Sequence, residues 1–273
     1  MEAIKSILSR SGRLAPSRNT RRAELRAARN RDSEQYLAIC SSYLDLVSTY
    51  YGCSYSETGE ARRKRVTELF IRIWQQLKYT ERLSDFEYLL TKLLTEDATP
   101  QEPTSSSDPI KELLRKLPPH ARFALIAYEM EHWPVRWLAL ALRKNSKRIH
   151  TLLSEARCKL CRINWESLNG EARQCLLAIS RMFDHQPNIR RSKAISKQSH
   201  SCPEVTQIKA EWLELRAKIV EIHLRYRISE KEREYILRSL LESVPEAFMQ
   251  KPGMVDRLIN SVHFIKHKSI QAS

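Results

Sequence analysis

The stretch "LALALRKNSKRIHTLLSEAR", residues 138–157, places a basic segment between two short helical patterns. It predicts a first helix over 137–142 and a second helix from Ser146 to about residue 160, separated by a three-residue turn. Asn145 or Ser146 can cap the second helix, because the side-chain oxygen of such a residue accepts hydrogen bonds from first-turn backbone amides. The stretch therefore predicts two helices joined by a tight and strongly basic turn.

The second of these helices has an apolar inner face and a polar outer face. The inner face is formed by Ile149, Leu153, Ala156 and Leu160, and residues 143–162 hold seven Lys or Arg and one Glu. The major groove of DNA accepts such a helix, while basic flanks bind phosphates. The alternative is a helical hairpin with a solvated charged face. On the DNA-binding interpretation, the candidate contact residues are Arg143, Lys144, Asn145, Ser146, Lys147, Arg148, His150, Thr151, Ser154 and Arg157.

The composition of the whole chain favours helices. Only five of the 273 residues are glycines, and long segments contain no proline. A hydrophobic fraction of 42% is sufficient to fill small cores. We predict an all-α protein with two small helical domains joined by a linker, the second a helix-turn-helix, followed by a C-terminal helical extension.

The net charge of +15 indicates the class of partner. A chain this basic associates with polyanions, of which nucleic acid is the usual one and an anionic membrane surface the other. No apolar run reaches the roughly 20 residues that a membrane span needs. The N-terminal residues also lack the apolar core of a secretion signal, so we expect a cytoplasmic protein.

The N-terminal and linker segments differ in charge. Residues 1–31 hold nine Lys or Arg against two Glu, which indicates either a flexible basic arm or the exposed start of a helix. This arm either contacts nucleic acid or is simply solvated. Residues 95–109 contain three prolines, three consecutive serines and acidic charge, which is typical of a linker.

The C-terminal part contains a long apolar seam. Its members step by three and four residues and are Val205, Ile208, Trp212, Leu215, Ile219, Ile222 and Tyr226. The seam is ample for an intramolecular helical hairpin. It would equally serve as a built-in inhibitor folded onto the DNA-binding domain, or as a site for another protein. Ser229 with Glu232 predicts a capping box for the helix that follows.

The cysteines and the acidic residues predict no catalytic or metal site. Cys158 and Cys161 form a C-x-x-C pair inside a continuous helical pattern, with no second such pair, so we expect helix packing and neither metal nor cofactor. A zinc site completed by His150, Cys175 or His185 is the alternative. No nucleophile–base arrangement, paired carboxylates or phosphate loop is recognisable, so we do not expect an enzyme.

Residues 117–160 resemble the C-terminal DNA-binding domain of bacterial RNA polymerase sigma factors, especially the extracytoplasmic-function group. The resemblance rests on Leu117-Pro118, on Arg122, on "LALAL" at 138–142 in place of "I-A-x-x-L", and on "ARCKL" at 156–160. His132 and Arg143 stand where the family usually has glycines. The resemblance implies that the helix beginning at Ser146 reads the upstream promoter element.

The segment "VTELFIRIWQQL", residues 66–77, looks like the central helix by which sigma factors hold core polymerase. The resemblance implies polymerase contacts at Val66, Glu68, Leu69, Arg72 and Ile73. The family's acidic pair is replaced by "RRK" at 62–64, and its basic and asparagine residues after Leu94 become "TED". Phe86 and Tyr88 would face the DNA strand being opened, although Phe86, like Trp74, is better explained as a core residue.

The resemblance gives the expected organisation and function. The expected segments are a basic arm (1–32), a polymerase-binding domain (33–94), an acidic linker (95–109), a DNA-binding domain (110–165), a connecting helix and polar linker (166–203) and a helical extension (204–273). The expected function is transcription initiation with promoter DNA, core RNA polymerase and, through the C-terminal helices, an anti-sigma or other protein as partners. The alternatives are a sigma-derived regulator without polymerase binding and a helical interaction scaffold.

Overall fold

The computed structural model describes residues 18–30, 32–55, 59–97, 108–183 and 203–247. These residues form α-helices and two short 3₁₀ turns and contain no strand, which confirms the predicted all-α class. The helices of the described part are α1 (Arg18–Arg29), α2 (Ser33–Ser41), α3 (Leu44–Ser54), α4 (Gly59–Gln76), α5 (Leu83–Asp97), α6 (Pro109–Arg115), α7 (Pro119–Glu129), α8 (Val135–Ala141), α9 (Ser146–Leu160), α10 (Gly170–Phe183), α11 (Pro203–Tyr226) and α12 (Glu230–Ala247).

Several helices begin at residues whose side chains satisfy the first backbone amides. Asp32 accepts a hydrogen bond from the Gln35 amide before α2, and Asp108 accepts two from the first turn of α6. Ser229 and Glu232 form the predicted capping box at the start of α12. Since each helix start leaves amides without intrahelical partners, these polar residues fix where the helices begin.

Aromatic side chains join the two predicted domains in one core. The Tyr43 ring lies 5.5 Å from that of Phe86 and 6.0 Å from that of Trp133, and Tyr50 contacts Phe123 at 6.4 Å. The buried residues of 33–94 and of 110–165 belong to the same continuous cluster. Residues 98–107, between α5 and α6, lie outside the described part, so the predicted domain boundaries stay a prediction.

The C-terminal helices pack back onto the rest of the chain. The seam residues Ile208, Trp212, Ile219 and Ile222 are all buried, so the seam packs within the chain, mainly against the body of the protein rather than against α12 as in the predicted hairpin. Helix α11 packs against α3, α6, α9 and α10, whereas α12 packs against α2 and α4. The Tyr226 ring lies directly on Gly52, where an added Cβ would come within 2.5 Å of it. The described part of the extension, residues 204–247, therefore contributes to the core. Among the described residues, no helix is long and apolar enough to cross a membrane.

Candidate nucleic-acid interface

The turn between α8 and α9 is closed by backbone hydrogen bonds around a left-handed residue. Arg143 has a φ of 49°, its amide donates to the Leu140 carbonyl, and the Lys144 amide donates to the Ala139 carbonyl. These two bonds form the Schellman arrangement, in which glycine is the preferred left-handed residue. The backbone thus keeps the conformation that a glycine would favour, although the residue present carries a side chain and a charge.

The first turn of α9 is capped by the predicted residue. The Asn145 Oδ1 accepts a hydrogen bond of 2.8 Å from the Arg148 amide, and Thr151 Oγ1 donates to the Lys147 carbonyl. The predicted boundaries of α8 and α9 are correct to within two residues at each end. The cap uses the Asn145 oxygen, so this side chain fixes the helix start rather than presenting that acceptor outward.

The turn and the start of α9 form an exposed cationic segment. All six residues from Arg143 to Arg148 are exposed, and four of them are Lys or Arg. The Arg143 guanidinium stacks 3.7 Å from the centroid of the Tyr88 ring, and Arg148 pairs with Glu155 at 3.1 Å. The first turn of α9 contains no acidic residue. Because cations are unfavourable at the positive end of a helix dipole, helix stability does not explain this placement.

The outer face of α9 is largely covered from His150 onward. His150, Ser154 and Arg157, which we predicted to lie on the exposed outer face, are only 7%, 2% and 6% exposed. That placement is wrong, because α10 and α11 pack on this side of α9. As the chain stands, these three side chains are not presented to a partner.

Arg157 is held by a buried ion-pair network. Its guanidinium donates to Glu129 at 2.7 Å and to Ser180 at 2.9 Å, and lies 5.2 Å from the Trp212 ring centroid. Glu129 also accepts from Arg216 on α11 at 2.9 Å. Arg157 therefore ties α9 to α7 and α10 and contacts the ring of α11. Sequence reasoning missed this network because its partners come from three separate helices.

The residues that the resemblance assigns to polymerase binding are divided between core and surface. Val66, Leu69 and Ile73 are at most 1% exposed and belong to the central core, so the expectation that they contact a partner is wrong for this fold. Glu68 is exposed, and Arg72 is partly exposed and pairs with Asp97 at 2.6 Å. Helix α12 packs along α4 and occupies part of its surface.

The aromatic residues of α4 and α5 are mainly structural. Phe86 and Trp74 are 0% and 2% exposed, which confirms their interpretation as core residues. Trp74 packs against Tyr36 with ring centroids 4.6 Å apart. Tyr88 is half-buried beneath Arg143. Only Tyr88 of these rings is accessible beside the cationic turn.

Cys158 in α9 and Cys161, which directly follows this helix, are buried thiols. Burial raises the pKa of Cys158 to about 11 and that of Cys161 to about 12, so both stay protonated near neutral pH. Metal ligation requires the thiolate, which this burial disfavours. In the described part of the chain, no three His, Cys, Asp or Glu side chains are grouped as metal ligands, and His185 lies outside that part.

Comparisons of the chain with protein families, with characterised proteins and with solved structures found no match.

Proposed function

We propose that the chain is a sigma-like transcription protein that binds duplex DNA through residues 143–148 and the first turns of α9. The observation that carries this proposal is the exposed run from Arg143 to Arg148 at the N-terminus of α9. This run contains four Lys or Arg residues, and the first turn of the helix contains no acidic residue. Helix N-termini and basic flanks are the elements with which helix-turn-helix proteins approach phosphates and base edges.

Phosphate contacts would supply most of the affinity. Lys144 and Lys147 are exposed, whereas Arg148 must first exchange Glu155 for a phosphate oxygen. The candidate base-contact residues His150, Ser154 and Arg157 are buried, which leaves Ser146 and Thr151 as the nearest polar side chains. We therefore expect binding that depends strongly on salt and weakly on base sequence.

The direct test measures duplex affinity against salt concentration for a Lys144→Gln, Lys147→Gln variant by fluorescence anisotropy. Each lost phosphate contact lowers the salt slope by about 1, so the expected decrease is about 2. A Lys218→Gln, Lys231→Gln variant removes the same charge from exposed positions on α11 and α12 and is the matched control. Equal losses in both variants would show that net charge, rather than this turn, binds DNA.

A second candidate function is binding of core RNA polymerase. It is favoured by Glu68, which stays exposed on the helix that the resemblance assigns to this contact, with Arg72 one turn away. Contacts through the apolar residues of α4 would require opening of the core. A polymerase pull-down of nuclease-treated protein should lose binding on Glu68→Arg and keep it on Glu81→Arg, an exposed acidic control. If the wild-type protein binds duplex DNA but not polymerase, the result would favour a sigma-derived regulator without polymerase binding.

A further inference from the structure

Helix α1 is fixed to the body of the protein. Leu25 and Ala28 are each 1% exposed and belong to the central core. Arg18 donates to the buried Glu87 carboxylate at 2.8 Å. The guanidinium groups of Arg18 and Arg21 lie 4.8 and 5.6 Å from the centroid of the Trp137 ring on α8. The part of the basic N-terminal arm that the structure describes is thus an anchored helix.

The exposed part of α1 carries an arginine stripe, which we define as Arg22, Arg26 and Arg29. These residues are separated by four and three positions, so they share one helix face, and all three are exposed. The stripe is about 10 Å long at 1.5 Å per residue. The acidic residue of α1, Glu24, is buried. Like charges at this spacing repel, whereas cations in the last turn, here Arg26 and Arg29, interact favourably with the helix dipole. Helix stability can therefore account for Arg26 and Arg29 but not for Arg22.

Helix α5 places the start of α1 beside the cationic turn. Glu87 binds Arg18 of α1, and the next residue, Tyr88, carries the Arg143 guanidinium on its ring. Trp137 of α8, six residues before Arg143, lies under both Arg18 and Arg21. The N-terminal half of α1 and the turn therefore flank the same turn of α5.

We propose that the arginine stripe is a second phosphate-binding surface, which contacts the backbone of the same duplex that the turn binds. This inference rests on the proposed DNA-binding function. Exposed arginines at regular spacing match a row of phosphates, because each guanidinium offers several donors to phosphate oxygens. An anionic membrane is the less suitable ligand, since the other exposed positions of α1 are Asn19, Thr20 and Ala23, which provide no apolar face for insertion.

The experiment compares two triple variants of the full chain. In the first, Arg22, Arg26 and Arg29 are replaced by Gln; in the second, by Lys. Gln and Lys have helix propensities close to that of Arg, so α1 should fold in both, which circular dichroism and thermal melting will check. Affinity for a 30-base-pair duplex is measured from low to moderate salt, beside the wild type and the Lys144→Gln, Lys147→Gln variant.

The proposal predicts that the Gln variant binds about tenfold more weakly with a salt slope lower by about 3, while the Lys variant stays within about twofold of wild type. If the turn variant weakens binding and the Gln variant does not, the stripe assignment is wrong and the proposed function stands. A wild type that binds no duplex overturns both. Loss of binding to phosphatidylserine vesicles in the Gln variant, with unchanged DNA affinity, would assign the stripe to a membrane surface and overturn the proposal.

Discussion

The two ends of helix α9 carry the same residue type in opposite environments. Arg148 at the N-terminal end is exposed, and its ion pair with Glu155 has side-chain exposures of 51% and 30%. Arg157 at the other end is paired with Glu129, with exposures of 7% and 3%. A charged helix face is therefore not one functional unit. Half of this one is available to a polyanion, and the other half holds helices together.

The largest expected effect is the difference in the free energy of unfolding between alanine substitutions at Arg157 and at Arg148. Arg157→Ala leaves Glu129 buried with only Arg216, and loss of one partner from a buried pair costs about 3 kcal/mol. Arg148→Ala removes a solvent-exposed pair and should cost less than about 1 kcal/mol. Chemical denaturation measures both free energies of unfolding. Equal losses would contradict the division of α9 into an available half and a structural half.

A second variant tests whether the C-terminal helices are integral to the fold. In Gly52→Ala the new methyl group would lie 2.5 Å from the Tyr226 ring, so this ring or the end of α11 must shift, at a cost of about 1–3 kcal/mol. Gly170→Ala is the control, because nothing lies within 4 Å of its added methyl group. Thermal unfolding compares the two. A Gly52→Ala protein as stable as the control would mean that α11 does not depend on this contact.

Glu131 contrasts with the paired Glu129 two residues earlier. Burial, together with nearby Asp45, raises the pKa of Glu131 to about 7. The folded state therefore favours the neutral acid, and its contribution to stability falls as pH rises from about 4.5 to 7. Glu131→Gln should increase the free energy of unfolding by about 1–2 kcal/mol at pH 8 and leave it unchanged at pH 4. An equal effect at both pH values would show that ionisation of Glu131 is not the cause.

The smallest expected effect concerns the left-handed residues that end α8 and α9. Arg162 has a φ of 58° and closes α9 as Arg143 closes α8. Arg162→Gly should stabilise the protein by about 0.5 kcal/mol, because glycine adopts this conformation without strain. Arg143→Gly should gain less, since it also loses the stacking on Tyr88. Denaturation midpoints of the two variants show which substitution stabilises the protein more. A larger gain in stability from Arg143→Gly than from Arg162→Gly would contradict this prediction.

Local features of the interface were predictable from the sequence because their causes are local. The Asn145 cap and the bounds of α8 and α9 follow from neighbouring residues, whereas Arg143 at a position suited to glycine was implied by the family resemblance. The inward seam of α11 was predictable from its period.

Burial of polar and apolar faces by distant partners was not predictable in this way. The helical periodicity around Arg157 shows which face of α9 this residue occupies. It does not predict that Ser180 and Trp212 contact its guanidinium. For the same reason, the sequence pattern of the apolar face of α4 is the same whether Val66 and Leu69 are buried in a core or contact another protein. A helical period identifies a face, while only the tertiary fold identifies its partner.

The most direct test of the account is site-specific photo-crosslinking to duplex DNA from the two ends of α9. A photoreactive amino acid replaces either Lys147 or Lys159, both of which are exposed. The account predicts that DNA is crosslinked from position 147 and not from position 159. Crosslinking from position 159 alone, or from both with equal yield, would contradict binding through the N-terminal half of the helix.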